Sequence, residues 1–127
     1  MIVGIGTDIV RVERIRRLLK RYPAFVERVF SAGEISFCQG KASPEQSYAA
    51  RFAAKEAVMK ALGTGWDGQV NWRDIEVQSN GNGKPLILLH GGARKKMASL
   101  EADRIQLSLA HEREYALAFV VLERQKA

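Results

Sequence analysis

The chain is predicted to adopt a single-domain α+β fold in which a mainly antiparallel sheet packs against one long central helix, and three observations carry that expectation. Runs of β-branched and alternating apolar residues at 2–9, 73–79, 85–89, 105–110 and 115–123 have the period-two pattern of half-buried strands. Residues 44–62 form a long, alanine-rich segment with helix punctuation at both ends. The last four strand candidates fall into two pairs joined by tight turns, Asn80-Gly81-Asn82-Gly83 and Glu112-Arg113-Glu114, and turns this short connect antiparallel neighbours. Helices then cover one face. At 127 residues the chain can build one core that removes roughly two thirds of the unfolded surface from water.

The first strand alternates so that Ile2, Gly4, Gly6 and Asp8 share a face. Two glycines leave backbone uncovered beside Asp8, giving a bulky ligand or a helix room to approach closely. A helix at about 11–21 follows, with Val12, Ile15, Leu19 and Tyr22 predicted as its buried stripe. Arg14, Arg17 and Arg21 line the outer face with Leu18 at their edge. Short helices near 24–30 and 32–38 lead to the long helix, where Ser43 is the predicted cap, Pro44 fits the first turn, Gln46 completes a capping box and Gly63 ends the run. A further helix at 91–101 separates the two hairpins.

Within the long helix Glu56 shares a stripe with Ala49, Phe52, Ala53 and Lys60, while Arg51, Lys55 and Val58 face away. A glutamate in so apolar a setting is costly to bury unpaired, and needs Lys60, a metal ion or a hydrogen-bond network. Lys60 alone is an ordinary i,i+4 partner, worth about 0.2–0.5 kcal/mol. Asp8 and Glu56 together suggest a Mg²⁺ site for phosphate chemistry, since that ion prefers hard oxygen ligands.

The net charge of +6 is concentrated: seven basic residues against two acidic ones between Arg11 and Arg28 account for +5 of it. Such a surface suits an acidic partner, and nucleic acid, an acidic protein or an anionic membrane all qualify on charge alone. Cys38 is the single cysteine, so no intramolecular disulfide can form, which fits a reducing cytoplasm. The amino-terminal residues have neither a basic region nor a long apolar stretch, and Tyr115 to Leu122 is too short to span a bilayer. A cytoplasmic protein is therefore expected.

Other chemistries find little support. There are two histidines; His111 ends a strand, where it can emerge into a cleft, and His90 ends another. Without a cysteine pair or a histidine–carboxylate cluster, a zinc site is not expected. Gly81-Asn82-Gly83-Lys84-Pro85 offers exposed amides and a cation, as a phosphate cradle does, but lacks P-loop spacing. Gly4-x-Gly6 is too short for a dinucleotide fingerprint. No nucleophile-elbow motif is present.

Gly4-Ile5-Gly6-x-Asp8-Ile9, Arg51-Phe52-Ala53-Ala54-Lys55-Glu56-Ala57, Lys60-Ala61-Leu62-Gly63-Thr64-Gly65, Asp74-Ile75-Glu76-Val77, Asn82-Gly83-Lys84-Pro85 and Ser108-x-x-His111 run collinearly along the chain. This set resembles the holo-acyl-carrier-protein synthases, the short branch of the phosphopantetheinyl transferases. Larger members carry a further acid where Val10 stands here, so the resemblance implies a metal shell completed more by water. It implies transfer of 4′-phosphopantetheine from coenzyme A to a serine of apo-acyl carrier protein, releasing adenosine 3′,5′-bisphosphate, in support of fatty acid biosynthesis. Asp8 and Glu56 would hold Mg²⁺, and Lys60 would neutralise the pyrophosphate. Glu56 would take the serine proton, directly or through a water. By the same similarity Arg51, Lys84 and His111 contact the nucleotide and its phosphates, helped by backbone around Gly63, Thr64, Gly65, Gly83 and Pro85. Arg14, Arg17 and Arg21 would dock the acidic carrier, with Leu18 and Phe25 as apolar anchors. The branch implies a homotrimer with sites at subunit boundaries. Two other readings remain: a nucleic-acid-binding module, which calls for exposed aromatics among the arginines, and a Mg²⁺-dependent nucleotide phosphohydrolase.

Overall fold

The computed structural model describes residues 1–65 and 68–125. Strand β1 (Ile2–Arg11) runs directly into α1 (Val12–Arg21), followed by α2 (Ala24–Val29), α3 (Ala32–Gln39) and the long α4 (Pro44–Leu62). A 3₁₀ turn at Trp72–Asp74 leads to β2 (Ile75–Ser79), β3 (Pro85–Leu89), α5 (Gly91–Ser99), β4 (Arg104–His111) and β5 (Tyr115–Glu123). The predicted mixed fold is what the chain adopts. It differs in one respect: the strands form two sheets, a three-stranded β1-β5-β4 and a separate β2-β3 hairpin. All pairs are antiparallel.

Helix α4 packs on the larger sheet through its alanines, and Ala49, Ala53, Ala54, Ala57, Val58 and Leu62 are buried there or against the smaller helices. Gly4 and Gly6 explain the closeness. A Cβ on either would fall on a carbonyl oxygen of α4, that of Ala61 for Gly4 and of Ala57 for Gly6. The uncovered face therefore receives a helix. Gly6→Ala should cost about 3 kcal/mol, because backbone on both sides must yield, and lower the melting temperature by roughly 10 °C. A thermal melt within a degree or two of the parent would contradict this packing.

Three local expectations are corrected. Ile2 is exposed at 62%, because the β1–β5 register slips between Ile2 and Gly4 and turns it off the Gly4–Gly6–Asp8 face. Tyr22 is exposed at 55% rather than buried. Pro23 disfavours helical backbone at the residue before it, and Tyr22 has left the helix with φ −128° and ψ 85°, so the wheel does not extend to it. The capping box predicted at Ser43 and Gln46 does not form: Ser43 makes no side-chain cap, and Gln46 Oε1 instead lies 3.2 Å from His111 Nδ1. A capping box does form one helix earlier, where Ser31 Oγ accepts from the Glu34 amide and Glu34 Oε1 accepts from the Ser31 amide.

Among the described residues no helix covers the far face of the three-stranded sheet. Ile5, Ile9, Leu117 and Phe119 lie there, and register places Ile9 beside Leu117 and Thr7 beside Phe119. Ile5, Ile9, Leu117 and Phe119 thus leave apolar side chains on one sheet face in solvent. Cys38 is fully buried, and burial pushes its thiol up to about 11. No helix among the described residues is long and apolar enough to cross a membrane.

Candidate active site

The glycine contact brings the end of β1 beside the last turns of α4. Lys60 Nζ donates to Asp8 Oδ1 at 3.1 Å and to the Thr7 carbonyl at 3.0 Å. Lys60 thus pairs with Asp8 across the layers. Glu56, one turn earlier and half-buried, has a carboxyl pushed above the ordinary glutamate range, first by burial and then by the Asp8 charge, against the pull of Lys60 and Arg14. Two carboxylates, a lysine and a backbone carbonyl converge here. Hard oxygen donors around a point already occupied by an ammonium group fit a divalent cation such as Mg²⁺. Among the described residues no group of three or more His, Cys, Asp or Glu gathers anywhere, so a cation at this point would have two protein carboxylates.

A second locus is a cavity of about 530 Å³ between the start of α4, the tip of the β2–β3 hairpin and the end of β4. Arg51, Gly83, Pro85 and His111 line it, together with Ser43, which sequence reasoning took only as a helix cap, and Lys41, which it did not single out. Its size lies within the range of about 300–1,000 Å³ usual for small-molecule sites. Arg51 is almost fully buried, its guanidinium 3.8 Å from the centre of the Phe37 ring, and its Nε has no hydrogen-bond partner among the described residues. Burial lowers its proton affinity. A buried, unsatisfied guanidinium donor on a cavity wall is suited to an anionic group.

The predicted nucleotide-contacting residues do not form one cluster in this chain. Gly63, Thr64 and Gly65 follow the carboxyl end of α4, about 18 Å along its axis from Arg51 at 1.5 Å per residue. Nor are the backbone amides of these segments generally free. Gly63, with φ 74°, is the left-handed cap; its amide donates to the Lys60 carbonyl and that of Thr64 to Met59. In the hairpin turn the Gly83 amide donates to the Asn80 carbonyl, and the Lys84 amide to Asn80 Oδ1. Helix capping and turn closure consume the donors of Gly63, Thr64, Gly83 and Lys84. Lys84 itself is exposed at the turn and does not line the cavity, although its neighbours do.

The basic helix presents a third locus. Arg14, Arg17, Leu18, Arg21 and Tyr22 surround a shallow groove of about 170 Å³. Phe25, the other predicted apolar anchor, is half-buried and packs 6.0 Å from both Phe30 and Phe52. Arg14 leans inward, 5.8 Å above the Phe52 ring, and its charge reaches Glu56. The groove and the carboxylates are therefore neighbours.

A family model described as the 4′-phosphopantetheinyl transferase superfamily matches residues 4–120. A holo-[acyl-carrier-protein] synthase of Solibacter usitatus is 47% identical over 124 residues, 97% of this chain and 99% of that protein. The crystal structure of holo-[acyl-carrier-protein] synthase from Neisseria meningitidis is similar with a TM-score of 0.88 at 40% identity, covering 97% of this chain and 99% of that one. The Helicobacter pylori holo-[acyl-carrier-protein] synthase, in complex with coenzyme A, gives 0.82 at 35% identity, with 94% and 99% covered. These matches run through both the strand bearing Asp8 and the helix bearing Glu56, and the chain belongs to the holo-[acyl-carrier-protein] synthases of the 4′-phosphopantetheinyl transferase superfamily.

Proposed function

We propose that this chain, acting as one phosphopantetheinyl transferase domain, moves 4′-phosphopantetheine from coenzyme A to a serine of apo-acyl carrier protein in the cytoplasm, in support of fatty acid biosynthesis. The observation that carries this reading is the convergence of Asp8, Glu56 and Lys60, set by direct backbone packing of β1 on α4. The serine oxygen forms a bond to the phosphorus that bears pantetheine, the bond from that phosphorus to the bridging oxygen breaks, and adenosine 3′,5′-bisphosphate leaves. Glu56, whose burial favours its protonated form, accepts the serine proton directly or through one water. Lys60 balances negative charge on the pyrophosphate. Asp8 and Glu56 would hold Mg²⁺, which when bound neutralises pyrophosphate charge at this point.

The nucleotide end of coenzyme A fits the cavity walled by Arg51 and His111. That cavity and the carboxylates occupy different parts of one chain, and a large apolar sheet face stands uncovered, with Ile5 61% and Phe119 46% exposed. Both features support a homotrimer in which two chains complete each site. The arginine groove, with Leu18 and Tyr22 at its sides, is the carrier's docking surface. Exposed Tyr22 among arginines is the one feature a nucleic-acid-binding reading would use; the clustered carboxylates have no place in it.

The direct test incubates the protein with coenzyme A, Mg²⁺ and an apo-carrier and weighs the carrier by intact mass spectrometry. A carrier left unmodified refutes the proposal. His111→Ala should raise KM for coenzyme A by about tenfold, the effect of one lost hydrogen bond to a charged group, and leave KM for the carrier unchanged. Lys84→Ala should act in the same direction and more weakly, because its charge is solvent-exposed. Comparison with 3′-dephospho-coenzyme A assigns the phosphate: equal losses with both substrates would exclude a 3′-phosphate contact.

A further inference from the structure

The most completely buried charges in the described chain lie outside all three loci. Glu34 at the start of α3 and Lys55 in the middle of α4 have side chains with no solvent exposure, and Lys55 Nζ stands 2.9 Å from Glu34 Oε1. The ammonium has all three of its donors engaged: on Glu34, on the Trp72 carbonyl at 3.1 Å, and on the Ile75 carbonyl. Glu34 Oε2 accepts from the Val77 amide at 2.8 Å, while Oε1 accepts from the Ser31 amide. Ser31 Oγ reaches on to Glu76 Oε2 at 2.9 Å. The pair therefore knots α3, α4 and β2 together.

Burying such a pair is not an efficient way to stabilise a fold, because desolvation offsets most of the attraction, and an apolar pair of similar volume often serves as well or better. What the charges add is direction, since each bond fixes an atom of one element against another. The elements fixed here are the walls of the coenzyme A cavity. Phe37, which carries the Arg51 guanidinium on its ring, is on α3. Ser79, Gly83 and Pro85 belong to the hairpin that begins with β2. Among the described residues that hairpin forms its own two-stranded sheet with no strand pairing to the larger one, so its position rests on how β2 packs against α3 and α4, where Ile75 and Val77 are buried.

We infer that Glu34 and Lys55 are positioning residues for coenzyme A, a buried charged latch that holds the hairpin and the Phe37-bearing helix at the spacing the nucleotide cavity requires. This rests on the assignment of that cavity to coenzyme A. The latch acts through Arg51 and the hairpin tip and never touches the substrate; its link to the arginine groove is indirect, through Trp72 stacked on Phe52 beneath Arg14.

The test replaces both charges at once, Glu34→Leu with Lys55→Met, so that neither is left buried and alone. The double variant leaves the Ser31 and Val77 amides and the Trp72 and Ile75 carbonyls without these partners and should melt below the parent while remaining folded; it should raise KM and Kd for coenzyme A about tenfold and change KM for the carrier less than twofold, since a misplaced wall weakens the ligand it shapes. A merely structural pair would leave both constants untouched in a variant that is still folded at the assay temperature, and that result overturns the inference. If the double variant does not fold, Glu34→Gln carries the test: a Kd for coenzyme A raised threefold or more, by about 0.65 kcal/mol, supports the latch, and an unchanged Kd refutes it. Arg51→Ala is titrated alongside. Weakened binding in Arg51→Ala with parental binding in the double variant sinks the latch alone, whereas parental binding in both sinks the cavity assignment and the latch with it.

Discussion

Asp8→Ala and Glu56→Gln are each expected to lower turnover by about 10³-fold with little change in melting temperature, because each removes one of two carboxylates from a site whose chemistry is mainly charge placement. Asp8 is held by Lys60 from the neighbouring layer, not by the core, and the exchange for alanine leaves that lysine in solvent. Stopped-time intact-mass assays at saturating Mg²⁺ measure the loss, and near-parental turnover in either variant would remove the residue from the site. Titration adds an independent readout with a definite sign. Asp8 is one of the groups that raise the Glu56 carboxyl; its removal, which also frees Lys60, should shift the Glu56 carboxyl ¹³C titration to lower pH. An upward shift would show that the two acids do not face each other.

Reversing Arg14 and Arg21 to glutamate should raise KM for the carrier by roughly 10–100-fold and flatten its dependence on salt, leaving KM for coenzyme A unchanged. Charges at the rim of a docking surface act chiefly on encounter and are screened over a Debye length of about 8 Å at physiological ionic strength. The two arginines are not equivalent. Arg21 borders only the groove, whereas Arg14 also lies over Phe52 and opposes the upward shift of Glu56. Arg21→Glu alone should therefore change KM without kcat, and Arg14→Glu should change both. If the double reversal spared carrier kinetics yet abolished salt-sensitive binding to DNA or RNA, the groove would belong to nucleic acid.

Much of what an element sets for its own side chains could be read from sequence, with the Ser43–Gln46 cap an exception because Gln46 turns to His111. Helix α4 came out with its boundaries because proline and glycine punctuate it, and the outward arginines of α1 came out because 3.6-residue spacing places them. Tyr22 was misread by extending that spacing one residue beyond where Pro23 allows the helix to run. The approach of β1 to α4 was partly legible, since paired glycines announce uncovered backbone; what covers it is a tertiary fact. Two sheets could not be told from one, because hairpin signals specify partners within a hairpin and say nothing of the next strand. The Glu34–Lys55 pair left a trace only at one end, in Ser31-x-x-Glu34, a capping-box pattern that accounts for one carboxylate oxygen and is silent on the other. The engaged amides of Gly63, Thr64 and Gly83 show the reverse case: glycine-rich segments that look like anion cradles were spending their donors on their own turns.

Strand order has a consequence for how this enzyme is made. β5, the central strand of its sheet, is translated after every other strand, and it pairs with β1 from Ile2 against Glu123 to Arg11 against Tyr115. Asp8 faces Ala118 in that ladder, so the strand carrying the first carboxylate has no sheet partner while most of the chain is being synthesised. Contacts this distant in sequence close slowly, and an apolar β1 waiting on a ribosome exposes an unpaired edge during that interval. Catalytic competence is thus a late event in the birth of the polypeptide, and a nascent chain arrested before residue 115 would carry α4, Glu56 and Asp8 but no strand to hold β1 in its ladder.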